Sequence, residues 1–187
     1  MGIWCAAGLD IPSISVNVSP RQFNSSSLST LVQTTLTENH LAANQLDLEV
    51  TESALPSDEK MMYANISALR DLGVKISIDD YGMGYSHLER LRMIQIDRIK
   101  IDRIFVQNLD LNPRHSSLVR SMIHLAKELG VSIIAEGIED AEAFARLQSM
   151  GCDQDQGIYF TAPLSAAECE RYLRMNPRSC TSSSAQP

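Results

Sequence analysis

Basic charge is scarce in this chain: 16 Lys and Arg stand against 23 Asp and Glu, a formal net charge of -7. That balance excludes a protein held nonspecifically to DNA or RNA, which needs a basic surface, but leaves open a small anion gripped through metal. Long apolar runs are missing too, so no segment reads as a membrane span. The opening MGIWCAAGLDIP has no basic n-region and too short an apolar run for a secretion signal. Ala6 stands where a myristoylation motif asks for Ser or Thr. The four cysteines, Cys5, Cys152, Cys169 and Cys180, show neither paired metal-ligand spacing nor a disulfide framework and read as reduced, cytoplasmic thiols. Aromatic residues are only 5% against 44% hydrophobic, and 187 residues suffice for one ordinary core.

What is present is a regular alternation of strands and helices. Ile14–Val18 reads as a buried strand with Asn17 at its C-terminal end, and Ser27–Glu38 as an amphipathic helix with Leu28, Leu31, Val32 and Leu36 inward. Gln45–Glu52 alternates Leu46, Leu48 and Val50 with Asp47, Glu49 and Thr51, so one side is apolar and the other faces a barrel interior or mouth. A helix opened by Pro56, Ser57 and Asp58 runs through Leu72 and stops at Gly73, and Val74–Asp80 is the next strand. His87–Met93 follows as a short helix, Asp97–Ile101 as a strand and Arg103–Leu109 as a helical turn or two. Arg114–Leu129 is an amphipathic helix with Leu118, Met122, Leu125, Ala126 and Leu129 on one side. Its His115 and His124 fall among solvated residues. Val131–Ala135 is a strand, Asp140–Met150 a helix, Cys152–Phe160 a last short strand and Ala166–Met175 a final helix. The Ser- and Pro-bearing residues 176–187 read as a disordered tail.

This order predicts an α/β fold with a parallel sheet of βα units. Asn17, Glu49, Glu52, Asp79, Asp80, Lys100, Asp102, Glu136 and Gln156 all fall at or near C-terminal strand ends, the face on which (β/α) barrels build active sites. Asp and Gly at a strand end also turn a chain for backbone reasons alone, and for Glu52 and Gln156 that plain reading is favoured. Adjacent carboxylates such as Asp79 and Asp80, however, raise each other's pKa unless a cation lies between them. Hard divalent ions take such oxygen ligands, and a shared carboxylate is the usual core of a two-metal phosphodiester site. Lys100 then places positive charge near a developing oxyanion or orients a water.

The segments VNVSPRQF (Val16–Phe23), LEVTES (Leu48–Ser53), IDDYGMGYS (Ile78–Ser86), RIKIDRIFV (Arg98–Val106), AEGIE (Ala135–Glu139) and GCDQDQGIYFTAPL (Gly151–Leu164) closely resemble, in order and interval, the EAL family of bacterial cyclic di-GMP phosphodiesterases. The resemblance implies a modified (β/α)8 TIM-like barrel in which two Mg²⁺ or Mn²⁺ ions help to open one phosphodiester bond of cyclic di-GMP to linear pGpG. It matches Asn17, Glu49, Asp79 and Asp80 to metal ligands and Glu136 to the carboxylate completing the metal and water network. Lys100 matches the lysine that touches the attacking water or scissile phosphate, and Gln156 a residue supporting that site. Glu52 matches the anchor of the loop after Asp80, which in the family closes over the metals and contributes to homodimer coupling. Asp102 belongs to the same supporting set.

Departures from the family pattern set further expectations. The Glu-Ala-Leu tripeptide, whose glutamate binds metal and whose following arginine holds phosphate, is absent from the 187 residues. The expectation is a partial domain over residues 1–175 with about six βα units. Such a chain would be weak or inactive alone, its parent carrying a sensory or GGDEF domain. The alternative is a degenerate module that binds cyclic di-GMP or a protein partner without turnover. An unpaired sheet edge would be an association hazard. Tyr81, Met83 and His87 replace the usual Phe, Thr and Ser in or beside the metal-covering loop, and Ile94-Gln95 a usual Leu-Pro.

Overall fold

The computed structural model describes residues 1–52, 59–83, 91, 94–107, 109 and 113–176. The strands are β1 (Ile14–Asn17), β2 (Leu46–Thr51), β3 (Lys75–Tyr81), β4 (Arg98–Ile101), β5 (Ser132–Ala135) and β6 (Gln154–Asp155). They form one six-stranded, wholly parallel sheet in sequence order, a half-barrel. The helices are α1 (Gly2–Ala6), α2 (Pro20–Phe23), α3 (Leu28–Glu38), α4 (Glu59–Asp71), α5 (Arg103–Val106), α6 (Pro113–Leu129), α7 (Ala141–Met150) and α8 (Ala166–Met175), with a 3-10 turn at Ala43–Gln45.

The two faces of the sheet differ in chemistry. Leu48 and Val50 of β2, Ile76 and Ile78 of β3, Ile99 and Ile101 of β4, and Ile133 and Ala135 of β5 are buried on the helix side. They share one apolar cluster with Val32 and Leu36 of α3, Met62 and Leu69 of α4, Val119 and Ile123 of α6, and Leu147 of α7. Each fully buried aliphatic chain contributes about 1.5–3 kcal/mol of transfer free energy. The opposite face, one residue out of phase, carries Asp47, Glu49, Ser77, Asp79, Arg98 and Lys100. Strand entry is locked by a repeated device: Asp97 Oδ2 accepts from Ile76 N, and Asp153 Oδ2 from Ile133 N, both at 2.9 Å.

Several sequence expectations need correction. β1 is exposed at all four positions, Asn17 included, because among the described residues it is an edge strand paired only with β2. The last strand shrinks from Cys152–Phe160 to Gln154–Asp155. Beyond it, Gly157 lies so close to the Ile138 backbone that a Cβ would collide with it, and the chain turns away. On α3, Leu31 points to solvent, and on α6 Leu118 does so while Val119 and Ile123 are buried. On α6, His124 is exposed, whereas His115 is half-buried with its ring 5.6 Å from that of Phe105. The expected helix start at Pro56–Asp58, the His87–Met93 helix apart from the buried Leu91, the Gly84–Ser86 part of the metal-covering loop and tail residues 177–187 lie outside the described residues.

Candidate active site

Strand register assembles the site. Asn17 is paired with Glu49 across β1 and β2, and Thr51 with Asp79 across β2 and β3. Lys100, two residues beyond Arg98 on β4, lies on the same polar face. Lys100 Nζ lies 2.8 Å from Glu49 Oε2, 3.4 Å from Asp79 Oδ1 and 2.6 Å from Glu136 Oε1, so carboxylates in the C-terminal halves of β2 and β3 and just after β5 converge on one ammonium. Lys100, Glu49 and Asp79 are all buried. Buried charges survive only when paired, and here one cation serves three anions.

The titration directions express that imbalance. Burial pulls the Lys100 ammonium down, but the hydrogen bonds and charges of Glu136 and Glu49 outweigh it and hold its pKa above the ordinary lysine value. The Glu136 carboxyl is pushed above its usual value by burial, with Lys100 opposing and the charges of Asp79 and Glu49 adding. Asp80 is likewise raised, by burial first, then by the charge of Asp79 and a hydrogen bond with Asp102. Negative charge is therefore in excess around the site.

Asp79 and Asp80 sit where the β3–β4 register breaks, between Ile78 and Tyr81. Asp80 adopts φ +54° inside the strand, a conformation uncommon outside glycine, and its N–H donates to Asp79 Oδ1 at 3.0 Å. The kink turns consecutive carboxylates in different directions instead of alternating faces. Immediately after it, Gly82 N donates to Glu52 Oε2 at 3.0 Å, tying the start of the loop to the end of β2. Asp102 caps α5, accepting from Ile104 N at 2.7 Å. Gln156 is exposed, and its backbone instead bridges Ala135 O and Ile138 N.

One buried layer escaped the sequence reading. Asp47, wholly buried, accepts from Ser77 Oγ at 2.8 Å and from Arg98 Nη1 at 2.6 Å. Each residue stands two positions before a site residue, Asp47 before Glu49, Ser77 before Asp79 and Arg98 before Lys100. The period-two spacing was the available signal. This layer forms the floor beneath the Lys100 cluster.

The donors Asn17, Glu49, Asp79, Asp80 and Glu136 are all oxygen ligands of the kind hard divalent cations take. The surplus of carboxylate over ammonium fits a cationic guest, so the donor chemistry suits Mg²⁺ or Mn²⁺. Among the described residues no three His, Cys, Asp or Glu side chains are grouped so as to hold one ion, and three of the carboxylates are engaged by Lys100.

Residues 4–163 match the family described as EAL domain. Over 152 residues the chain is 37% identical to cyclic di-GMP phosphodiesterase RocR of Pseudomonas aeruginosa, covering 81% of this chain and 39% of RocR. The crystal structure of the EAL domain of Mycobacterium smegmatis DcpA superposes with a TM-score of 0.89 at 33% identity, covering 93% of this chain and 78% of that one. Klebsiella pneumoniae BlrP1, solved as a manganese and cyclic di-GMP complex, gives a TM-score of 0.74 at 29% identity, covering 82% and 40%. The chain spans 22%, 39% and 26% of the length of the first curated relatives it matches. No described helix is long and apolar enough to cross a membrane.

Proposed function

The chain belongs to the EAL domain family, and on that footing we propose that its polar strand-end cluster is a metal-dependent site for cyclic di-GMP, opening one phosphodiester bond to linear pGpG. The observation that supports this reading is the convergence of Glu49, Asp79 and Glu136 on Lys100. Asn17, Glu49, Asp79, Asp80 and Glu136 would hold Mg²⁺ or Mn²⁺. Bound there, such ions supply Lewis acidity and a water of lowered pKa. Lys100 keeps its proton and offers fixed positive charge to a phosphate oxygen or an ordered water. Glu136, facing Lys100, is the group placed to orient that water. Glu52 holds the Gly82 amide and with it the turn that aims Asp80. The Asp47–Ser77–Arg98 layer fixes the strand spacing beneath.

Turnover by this polypeptide alone is low in our reading. The 187 residues contain no Glu-Ala-Leu tripeptide with its ligand glutamate and following arginine, and Asn17 lies on an open edge strand. The same two observations support a second reading, nucleotide binding without turnover. A cytoplasmic setting, a companion sensory or GGDEF domain and a homodimer through the loop after Asp80 accompany the family reading.

The test is to incubate monodisperse protein with cyclic di-GMP and Mn²⁺, follow linear pGpG by chromatography, and titrate the nucleotide with and without metal. The expected result is little product, with metal-dependent nucleotide binding that Asp79→Ala abolishes. A folded sample that neither binds nor cleaves cyclic di-GMP overturns both readings.

A further inference from the structure

The short helix α5 touches both loops that carry the site carboxylates, and it does so through side chains on either side of its axis. Gly82, two residues beyond Asp80, has φ +100° and no room for a side chain, since a Cβ there would meet Phe105 Cε2 at 2.9 Å and crowd Met122 Cε. Gly137, next to Glu136, has φ +73° and is closed off in the same way by Arg103, whose Cα a Cβ there would meet at 3.2 Å. At the end of α5, Gln107 Nε2 donates to Glu139 Oε1 at 2.6 Å. Phe105 is itself backed by the His115 ring of α6, and the helix starts at Asp102, which shares a hydrogen bond with Asp80.

We propose that α5 is a strut that fixes the spacing between the Asp80 loop and the Glu136 loop, with Phe105 and Gln107 as positioning residues for the carboxylate cluster around Lys100. The metal part of this inference rests on the function proposed above. Two glycines in left-handed conformations pressed onto one four-residue helix leave neither loop free to shift without moving α5. Packed interiors transmit such displacements because they have few voids in which to absorb them. The Glu52–Gly82 bond holds the Asp80 loop from the β2 side and Phe105 from the β4 side, so the turn is clamped. Gln107–Glu139 is the corresponding clasp on the Glu136 side. A change on α5 therefore reaches the loop it does not touch.

The experiment combines hydrogen–deuterium exchange of the metal-free chain with Mn²⁺ titration followed by electron paramagnetic resonance. Phe105→Ala should speed exchange at residues 80–83 and also at 136–139, by about tenfold or more at matched global stability. Gln107→Ala, a solvent-facing change compatible with folding, should open 136–139 and raise exchange at 80–83 as well. Mn²⁺ affinity should fall about tenfold in Phe105→Ala and be largely restored by Phe105→Leu, while Ile104→Ala on the exposed side of the helix changes neither readout. Exchange increases confined to the loop each side chain touches overturn the proposal, and so does Mn²⁺ affinity in Phe105→Ala equal to that of a wild type that binds the ion. If wild-type protein takes up no Mn²⁺, the metal reading of the site fails and the exchange pattern alone decides whether α5 couples the loops.

Discussion

Arg98 Nη1 lies 2.6 Å from Asp47 Oδ2 across the interior face of the half-barrel, one residue layer below Lys100 and Glu49. Asp47 is wholly buried and Arg98 is half-buried, so the carboxylate has no water to return to. Removing one partner of such a pair leaves an uncompensated buried charge and costs about 3–5 kcal/mol, while replacing both with apolar groups is close to neutral. Asp47→Leu alone should therefore lower the urea unfolding free energy by roughly that amount. The Asp47→Leu, Arg98→Met double variant should recover most of it. A double variant as unstable as the sum of the two single ones would mean the pair holds the strands by more than its own charges.

Lys100→Met tests the charge balance of the site. With the ammonium gone, Glu49, Asp79 and Glu136 face one another at low exposure, and the expected loss at neutral pH is about 3–5 kcal/mol. Burial already raises the Glu136 carboxyl, and without the Lys100 ammonium that opposed this it stays further above its unfolded value. The folded variant thus binds protons more tightly than the unfolded chain, and its stability falls as pH rises. Urea midpoints near pH 5 should lie closer to wild type than those near pH 7.5. A variant equal to wild type at the higher pH would show that the carboxylates do not depend on Lys100.

The sequence was informative where local periodicity decides structure and silent where neighbours in space do. The alternation in β2 showed that Glu49 faces away from Leu48 and Val50, and both faces are buried because helices cover one and the polar interior the other. Asn17 and Val16 belong to an equally β-branched stretch, yet they are exposed, since burial there depends on which strand lies beyond β1. The Arg98–Asp47 bond joins residues 51 positions apart and needs the registers of β2, β3 and β4 together, which no local pattern encodes. On α6 the reading of Met122, Leu125, Ala126 and Leu129 holds, while Leu118 faces solvent and Val119 and Ile123 fill the core in its place, a shift at the edge of the stripe that the apolar spacing tolerates because 3.6 residues per turn leaves it broad.

Cys152 should be chemically silent in the folded protein. Burial, aided by the charge of Asp155, pushes its thiol pKa up to about 12. Its Sγ lies 3.3 Å from Gln154 O. The thiolate is the reactive form, and almost none exists at pH 8. Iodoacetamide should label the half-buried Cys5 and Cys169 in native buffer and reach Cys152 only in urea, as peptide mass spectrometry would resolve. Labelling of native Cys152 at the rate of Cys169 would contradict its placement in the β5–β6 core.

Asp155 stands on the helix side of β6, where it accepts from Gln148 Nε2 of α7. Burial raises its carboxyl above the usual aspartate value, and the Gln148 bond only partly opposes this. The folded state therefore holds the Asp155 proton more tightly than the unfolded chain does, and ionisation works against folding. That cost is absent below the unfolded value of about 3.9, grows as pH rises toward the folded value, and is complete above it. Asp155→Asn removes the charge and keeps an oxygen for Gln148, so it should melt above wild type at pH 7. The gap should close as the pH is brought down to about 4. A gap that stays constant with pH would assign the gain to packing, and a variant less stable at neutral pH would show that the ionised carboxylate is worth more to the α7–β6 contact than its burial costs.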